Sequence, residues 1–397
     1  MTWNWQRSDW PNFAWDQARL AKAEECFLIE AGTRIGAIRH LGSGDRDELV
    51  VEAMSTEAVT TSEIEGEILD RASVQSSIRR QLGLGTDNRR VAPAERGVAE
   101  MMVDLHRNFA EPLSHEMLFA WHRMLASGWS SIEDIGGYRT HPDAMQVVSG
   151  IGRNPQVHFE APPSSAMPGE MERFVAWFNR TAPHGDEPMP ALTRAGIAHL
   201  YFVCIHPFED GNGRIGRAIA EKALAQNLGY PAITALAATI LARRRGYYDA
   251  LEANNETNEI TPWLSWFAAT AIEAGRQVGA LVEFLIEKTR LLDRVQGLLN
   301  PRQQKTLFRV LREGPQGFAG GLSAANYVSI TGASPATATR DLTDLVVRGA
   351  FERTGERRHA RYHLTIPPHP IAPVVLGERG EVIEAPTSGA GAPRARA

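Results

Sequence analysis

Two helical patterns broken at a single place constrain this chain most. The apolar stretch "ALTRAGIAHLYFVCI" (191–205) must end near His206, because Pro207 disfavours helical geometry in the residue before it. A second pattern, "RIGRAIAEKALAQNLG", starts near Gly213 with Ile215, Ile219, Ala220 and Leu224 to bury. The junction places a histidine, two carboxylates, a Gly-Asn-Gly turn and two arginines within the twelve positions 206–217.

The remaining patterns are mostly helical. "DQARLAKAEECFLIEAGTRIGAI", "AERGVAEMMVDLHRNF", "SHEMLFAWHRMLA" and "GEMERFVAWFNR" carry apolar residues at three-and-four spacing, and Ser114 is placed to cap the third of these. Between 136 and 163 the period changes. Two β-prone runs, Gln146–Val148 and Gln156–Phe159, flank Ser, Gly, Arg, Asn and Pro, which predicts a hairpin. From Pro301 a helix precedes a helix–turn–helix, with Gly332 in the turn and Ser334-Pro335 starting the second helix. "AFERTGERRHARYHL" then alternates as a two-stranded wing would, and the last thirty or so residues, rich in Pro, Gly and Ala, are expected to be disordered.

A length of 397 residues suits two or three domains, and a net charge of -5 excludes a chain that coats nucleic acid or an anionic membrane along its whole length. The two cysteines, Cys26 and Cys204, lie in apolar surroundings and are expected to be buried free thiols, which fits a reducing compartment. No apolar run approaches the roughly 20 residues a membrane helix needs. "MTWNWQRSDW" lacks the plan of a signal peptide, so the expected location is the cytoplasm. Trp3, Trp5, Trp10 and Trp15 in this block are expected to be packing residues.

The junction reads as chemistry. A tight loop leading into a helix N-terminus presents backbone N–H groups and a favourable dipole to an anion, and glycines allow a phosphate close to the backbone. Arg214 and Arg217, one turn apart, can grip further phosphate oxygens. Asp210 is a hard oxygen ligand suited to Mg²⁺ shared with those phosphates. His206 is placed to act as general base for a hydroxyl attacking phosphorus. Together these residue types point to phosphoryl or nucleotidyl transfer.

"HPFEDGNGRIGR" also resembles, at every defined position, the Fic-family signature His-x-Phe-x-(Asp/Glu)-Gly-Asn-Gly-Arg-x-x-Arg. The resemblance implies a mainly all-α fold: a helical Fic core with a β-hairpin flap, preceded here by a helical extension and followed by a winged helix. It divides the chain into a helical extension (1–100), a catalytic core (101–275), a linker helix (276–300), a winged helix (301–366) and a tail (367–397). It implies transfer of AMP from ATP to a hydroxyl side chain of a protein target, self-modification included. In that reading His206 deprotonates the hydroxyl, Phe208 anchors the loop, and Asp210 holds Mg²⁺. Gly211, Asn212 and Gly213 cradle phosphates that Arg214 and Arg217 neutralise. Gly213 disfavours the Doc kinase subgroup, which has lysine there. By the same resemblance Gln146, Val147 and Val148 belong to a flap on which a target segment docks by strand addition, and Tyr248 and Asn255 contact the adenosine.

Far upstream, Thr61, Glu65 and Gly66 fit the family's inhibitory pattern (Ser/Thr)-x-x-x-Glu-(Gly/Asn). The implied brake is a Glu65–Arg217 ion pair that denies Arg217 to the γ-phosphate. On the winged helix, Thr337, Thr339, Arg340 and Thr343 fall on the recognition helix and Arg353, Arg357, Arg358, His359 and Arg361 on the wing. Three readings stay open: a self-inhibited protein adenylyltransferase; a Fic-fold deAMPylase or other nucleotidyl transferase; and a DNA-binding regulator with a nucleotide-sensing Fic core. DNA or protein as the winged helix's partner, and a homodimer, are also left open.

Overall fold

A computed structural model describes the chain except for residues 1, 86–88, 130–131, 150–155, 232–233, 315–317, 319, 368 and 386–397. The helices begin and end where local chemistry directs. In chain order come α1 (Gln17–His40), α2 (Ser43–Ile64), α3 (Arg71–Gln81), α4 (Pro93–Arg107) and α5 (His115–Leu125). Asp70 and Ser114 cap α3 and α5 by accepting the N–H groups of Ser73 and Met117. An antiparallel hairpin follows, β1 (Gln146–Ser149) with β2 (Gln156–Glu160), bulged between Val147 and Val148; its turn lies outside the described residues.

Next come α6 (Met167–Arg180), α7 (Ala191–Ile205), α8 (Asn212–Leu228), α9 (Leu236–Ala242), α10 (Arg244–Glu252) and the long α11 (Thr261–Val295). Then come α12 (Pro301–Leu311), α13 (Ala324–Thr331), α14 (Pro335–Val347), the hairpin β3 (Phe351–Thr354) and β4 (Arg361–Leu364), and a last hairpin, β5 (Val374–Leu376) and β6 (Val382–Glu384). The class is mainly α. Among the described residues no helix is long and apolar enough to cross a membrane.

The chain forms two compact units: residues 1–36, 46–278 and 372–397 make the first, and 37–45 and 279–371 the second. In the first, α7 and α8 form the most extensive helix pair, and α7 is buried along nearly its whole length. That explains its all-round apolar composition. The tryptophan block packs on this core as expected. Trp3 meets Phe159 edge-on at 5.4 Å, and the Trp5 indole N–H donates to the Glu160 carbonyl at 2.6 Å.

Two expectations need correcting. The tail from 367 was expected to be disordered, yet β5 and β6 pair within it, because Val374 is fully buried and Glu273 accepts the Val374 N–H at 2.8 Å. Its last part, 386–397, lies outside the described residues. Cys204 is a buried free thiol, but Cys26 is only half-buried and donates to Glu30 at 3.3 Å.

In the second unit, α12–α14 pack on one another and α14 packs on β3. Gly332 ends α13 at φ 71°, a left-handed conformation glycine adopts without strain, and Ser334 caps α14. Tyr327 and Arg302 both reach the buried Asp341, at 2.9 Å each.

One feature of the first unit is costly. Glu57 of α2 is buried and accepts the Ala237 N–H at 2.9 and 3.1 Å, at the start of α9. Glu221 of α8 is also buried and accepts the Thr234 hydroxyl. Burial raises both carboxyls, Glu221 to about 7, and the charge of Glu221 raises Glu57 further. A raised folded-state pKa means that the native state holds the proton longer. Stability from such a group is complete below the ordinary glutamate value of 4.5 and is lost as pH climbs toward about 7. Glu221→Gln, which keeps an acceptor for Thr234, is therefore expected to melt close to wild type at pH 4.5 and progressively above it toward pH 7. Paired thermal melts across that range check this; a constant gap contradicts it.

Candidate active site

Pro207 stops α7, and His206 takes the left-handed C-cap conformation, φ 52°, which turns its ring into the cleft. Phe208 is fully buried and stacks on His122 at 4.2 Å. Gly211, at φ 83°, makes the sharp entry into α8. Asn212, 2 % exposed, braces the loop: its Oδ1 accepts the Phe208 N–H at 3.0 Å and its Nδ2 donates to the Phe208 carbonyl at 2.8 Å. The amide side chain is thereby committed, so a phosphate would meet the main-chain N–H groups of the first α8 turn instead.

His206 is set up as a base by its backbone contact. The Val203 carbonyl, 3.2 Å from Nδ1, can only accept, so Nδ1 carries the hydrogen and Nε2 keeps its lone pair. Burial pushes the ring down to about 4, with Arg139 adding to the shift, so the ring is neutral at physiological pH.

Arg217 is the most constrained group in the site. It is 2 % exposed, and its Nε donates to Thr61 Oγ1 at 2.7 Å. Its Nη2 donates to the Thr61 carbonyl at 2.9 Å and to Glu65 Oε1 at 2.7 Å. Nη1 is buried and has no hydrogen-bond partner among the described residues. Burial alone would raise Glu65, but the charge and hydrogen bond of Arg217, backed by Arg214 and His206, outweigh it and hold that carboxyl below its usual range. A Cβ placed on Gly213 would stand 2.2 Å from Glu65 Oε1. The Glu65 carboxylate therefore sits directly on the first turn of α8, where an anion is most favoured. Gly66, at φ 88°, turns the chain away just after it.

Arg214 lies deep too, 5 % exposed, pairing with Glu67 at 2.7 Å and Asp210 at 3.4 Å, with its guanidinium 4.7 Å over Trp129. Asp210 is the exposed acid of the loop; its Oδ1 accepts the Gly211 N–H at 2.5 Å. A single exposed carboxylate beside a phosphate-sized anion site suits Mg²⁺, which takes one or two protein carboxylates together with substrate phosphates. Among the described residues no cluster of three or more acids, histidines or cysteines competes for that role.

The hairpin and α10 complete the cleft, about 730 Å³, in which His206, Asp210, Gly213, Glu65, Val147 and Tyr248 all take part. Gln146 and Val148 line it with Val147, and the outer edge of β1 pairs with no other strand among the described residues. Tyr248 is 39 % exposed on the cleft wall, whereas the adjacent Tyr247 is buried and bonded to His199 at 2.9 Å. Asn255 lines the cleft, but its Nδ2 donates to the His158 carbonyl at 2.9 Å, tying the hairpin to the chain after α10.

Four residues of this arrangement had no signal in the sequence. Arg139 is 1 % exposed and donates to the carbonyls of His206 at 2.8 Å and Pro162 at 2.5 Å, joining the base to the segment after the hairpin. Glu67 and Trp129 hold Arg214, and Glu57 anchors α2. Each works through tertiary contact alone.

Comparison with known proteins agrees with this geometry. Residues 3–84 match the family model described as "Domain of unknown function (DUF4172)" and residues 112–224 the one described as "Fic/DOC family". The chain is 35 % identical over 100 residues to the protein adenylyltransferase Fic of Culex quinquefasciatus, covering 25 % of this chain and 18 % of that protein. Against the protein of the same name from Drosophila ananassae the figures are 35 % over 98 residues, 25 % and 18 %. The matched segment thus spans under a fifth of those relatives. Among solved structures, a Fic family protein from Desulfovibrio desulfuricans G20 is 22 % identical, covering 86 % of this chain and 96 % of that one at a TM-score of 0.48. A Fic domain containing signaling protein from Bacteroides thetaiotaomicron is 18 % identical, covering 64 % and 95 % at 0.49. The Fic/DOC match, residues 112–224, holds the loop, the hairpin and α8 as far as Leu224, so this segment of the chain is similar to that family.

Proposed function

We propose that this chain is a protein adenylyltransferase that moves AMP from ATP to a hydroxyl side chain of a protein target, and that Glu65 holds it in check. The observation that carries the reading is the Glu65 carboxylate on Arg217, at 2.7 Å, over the first turn of α8. That is one anion site with an anionic side chain already in it, and the unpartnered Nη1 of Arg217 leaves a donor for another acceptor. A carboxylate and a phosphate cannot both hold this place, so bound Glu65 displaces the outer phosphates of the nucleotide from their productive position.

With Glu65 withdrawn, the parts act in order. The first-turn N–H groups of α8, with Arg214 and Arg217, orient the phosphates. Mg²⁺, when bound at Asp210, neutralises phosphate charge. The target's main chain lies along the open edge of β1, which presents its hydroxyl to His206. As the hydroxyl oxygen bonds to the α-phosphorus, its proton passes to Nε2 of His206 and pyrophosphate leaves. A ring held near 4 is a weak base, but the negative charge of bound phosphates beside it raises its proton affinity toward the range a general base needs.

Two tests follow. With ATP labelled at the α-phosphate, Glu65→Gly is expected to label itself or a lysate target roughly 10–100-fold faster than wild type, the span of ordinary coupling energies. Adding His206→Ala should remove that labelling. Equal rates for wild type and Glu65→Gly would remove the brake from the proposal, and labelling that survives His206→Ala would remove the base. Second, the His206 ring, followed by NMR with His206→Ala as assignment control, should stay neutral from pH 8 to 5 in the free protein, with a midpoint near about 4. Its midpoint should rise when a non-hydrolysable ATP analogue and Mg²⁺ bind. A free-protein midpoint at the ordinary 6.5 contradicts the assigned role of burial.

A further inference from the structure

We propose that the second unit binds double-stranded DNA, with α14 in the major groove and the β3–β4 hairpin against the flanking backbone. Charge is the first observation. Residues 301–366 contain ten Lys/Arg and five Asp/Glu, a net of +5, whereas the whole chain is -5; everything outside this segment therefore carries -10. A nucleic-acid surface confined to one module of an acidic chain leaves this asymmetry.

The pairing inside the module sharpens it. Asp341 is held by Arg302, Asp344 by Arg348 and Glu313 by Arg309. Three of the five acids are thus neutralised within the unit, and they are paired by cations of α12 and the end of α14. Arg340, Arg353 and Arg357 have no ion pair or side-chain hydrogen bond among the described residues, and all three are exposed. They lie on α14, on β3 and in the turn between β3 and β4.

Arg340 lies on the exposed face of α14, and Arg353 and Arg357 lie on the hairpin that follows it. Ala338, Leu342 and Leu345 bury one face of α14. Ala336, Thr339, Arg340, Thr343 and Val347 are exposed at positions i, i+3, i+4, i+7 and i+11, a single stripe along the other face. Apart from Arg340 the stripe carries only small or β-branched side chains, which do not keep a helix out of a groove about 12 Å wide. Thr339 and Thr343 donate their hydroxyls to carbonyls one turn back, at 3.0 and 2.8 Å, which leaves their oxygens as acceptors and their methyl groups available to thymine. In the hairpin, Arg353 stands opposite the buried Tyr362 and two residues from the buried Phe351. Arg353 therefore belongs to the face that packs toward α14, while Glu352, the exposed acid of β3, falls on the opposite face. The pleat thus separates the cation and the anion of β3 onto opposite faces of the hairpin.

The reaction site lies wholly in the first unit, so this surface is separate from it and stands whether or not the adenylyl-transfer reading does. A protein partner would have to be acidic along a comparable stripe, but regular phosphate spacing meets three separated arginines without any further assumption.

The test uses the full chain and a fluorescein-labelled, mixed-sequence DNA duplex of about 30 base pairs, long enough for several registers of one module. Anisotropy titrations at about 50 to 200 mM NaCl should show binding whose logarithm falls linearly with that of salt. Combining Arg340→Ala, Arg353→Ala and Arg357→Ala should weaken binding by tenfold or more and make the slope shallower by about 2.7, at about 0.9 for each phosphate that is no longer neutralised. Melting behaviour should be unchanged, since all three side chains are exposed. Arg290→Ala, an exposed cation of the same unit paired with Glu287, should bind like wild type. Failure of the wild-type chain to bind the duplex at the lowest salt overturns the proposal and leaves the surface to a protein. An unchanged slope in the triple variant, or an equal weakening in Arg290→Ala, overturns the assignment to α14 and the wing.

Discussion

A buried guanidinium organises the first unit. Arg217 is 2 % exposed, and a charge so far from water must be neutralised and hydrogen-bonded where it stands. Thr61 and Glu65 meet most of that demand, and both come from a segment more than 150 positions away in sequence. Leaving Arg217 without an anion would cost about 3–5 kcal/mol, by the precedent of broken buried pairs. In the proposed reading a substrate anion would take the place of Glu65, so that competition between side chain and substrate would follow from the burial of one arginine.

How far the carboxylate can withdraw depends on α2. Glu57, Thr61 and Glu65 follow one another at intervals of four along this helix and its C-terminal extension. Arg217 and Glu221 stand four apart on the facing helix, α8. The upper contact, Glu65 with Arg217, is the one that the proposed mechanism exchanges for a phosphate. At the lower one, Glu57 accepts a backbone N–H at the start of α9 and lies near Glu221, with no guanidinium bonded to either carboxyl among the described residues. Anchored there, α2 need not move as a body. Its last residue is Ile64, and the positive φ of Gly66 marks a turn just beyond it.

Much of the loop at 206–217 was legible because its features are local. Pro207 had to end α7, Gly211 had to permit a left-handed entry to α8, and His206, Asp210, Arg214 and Arg217 follow within one short segment. The contact between Glu65 and Arg217 was legible only through resemblance, since no spacing rule connects positions 152 apart. Asn212 shows the limit of reading residue types. An amide in a phosphate loop suggests a ligand contact, yet its side chain closes the loop on the backbone of Phe208. Arg139, Glu67 and Trp129 were out of reach for a plainer reason: an arginine in a polar stretch looks solvated until the fold buries it against three acceptors. The tail misled through its composition. Pro and Gly suggested disorder, but one buried valine and one carboxylate suffice to fasten β5 to the core.

The same logic separates the arginines of the two units. In the first, burial leaves Arg214 and Arg217 few degrees of freedom, so each holds a fixed geometry and can select a particular anion arrangement. In the second, Arg340, Arg353 and Arg357 stand in water on a helix and a hairpin. They retain their rotamer freedom and are screened by salt, which suits a repeating polyanion better than one small substrate. Burial against exposure, more than the count of cations, is what underlies the two proposals, a nucleotide at one unit and a nucleic-acid backbone at the other.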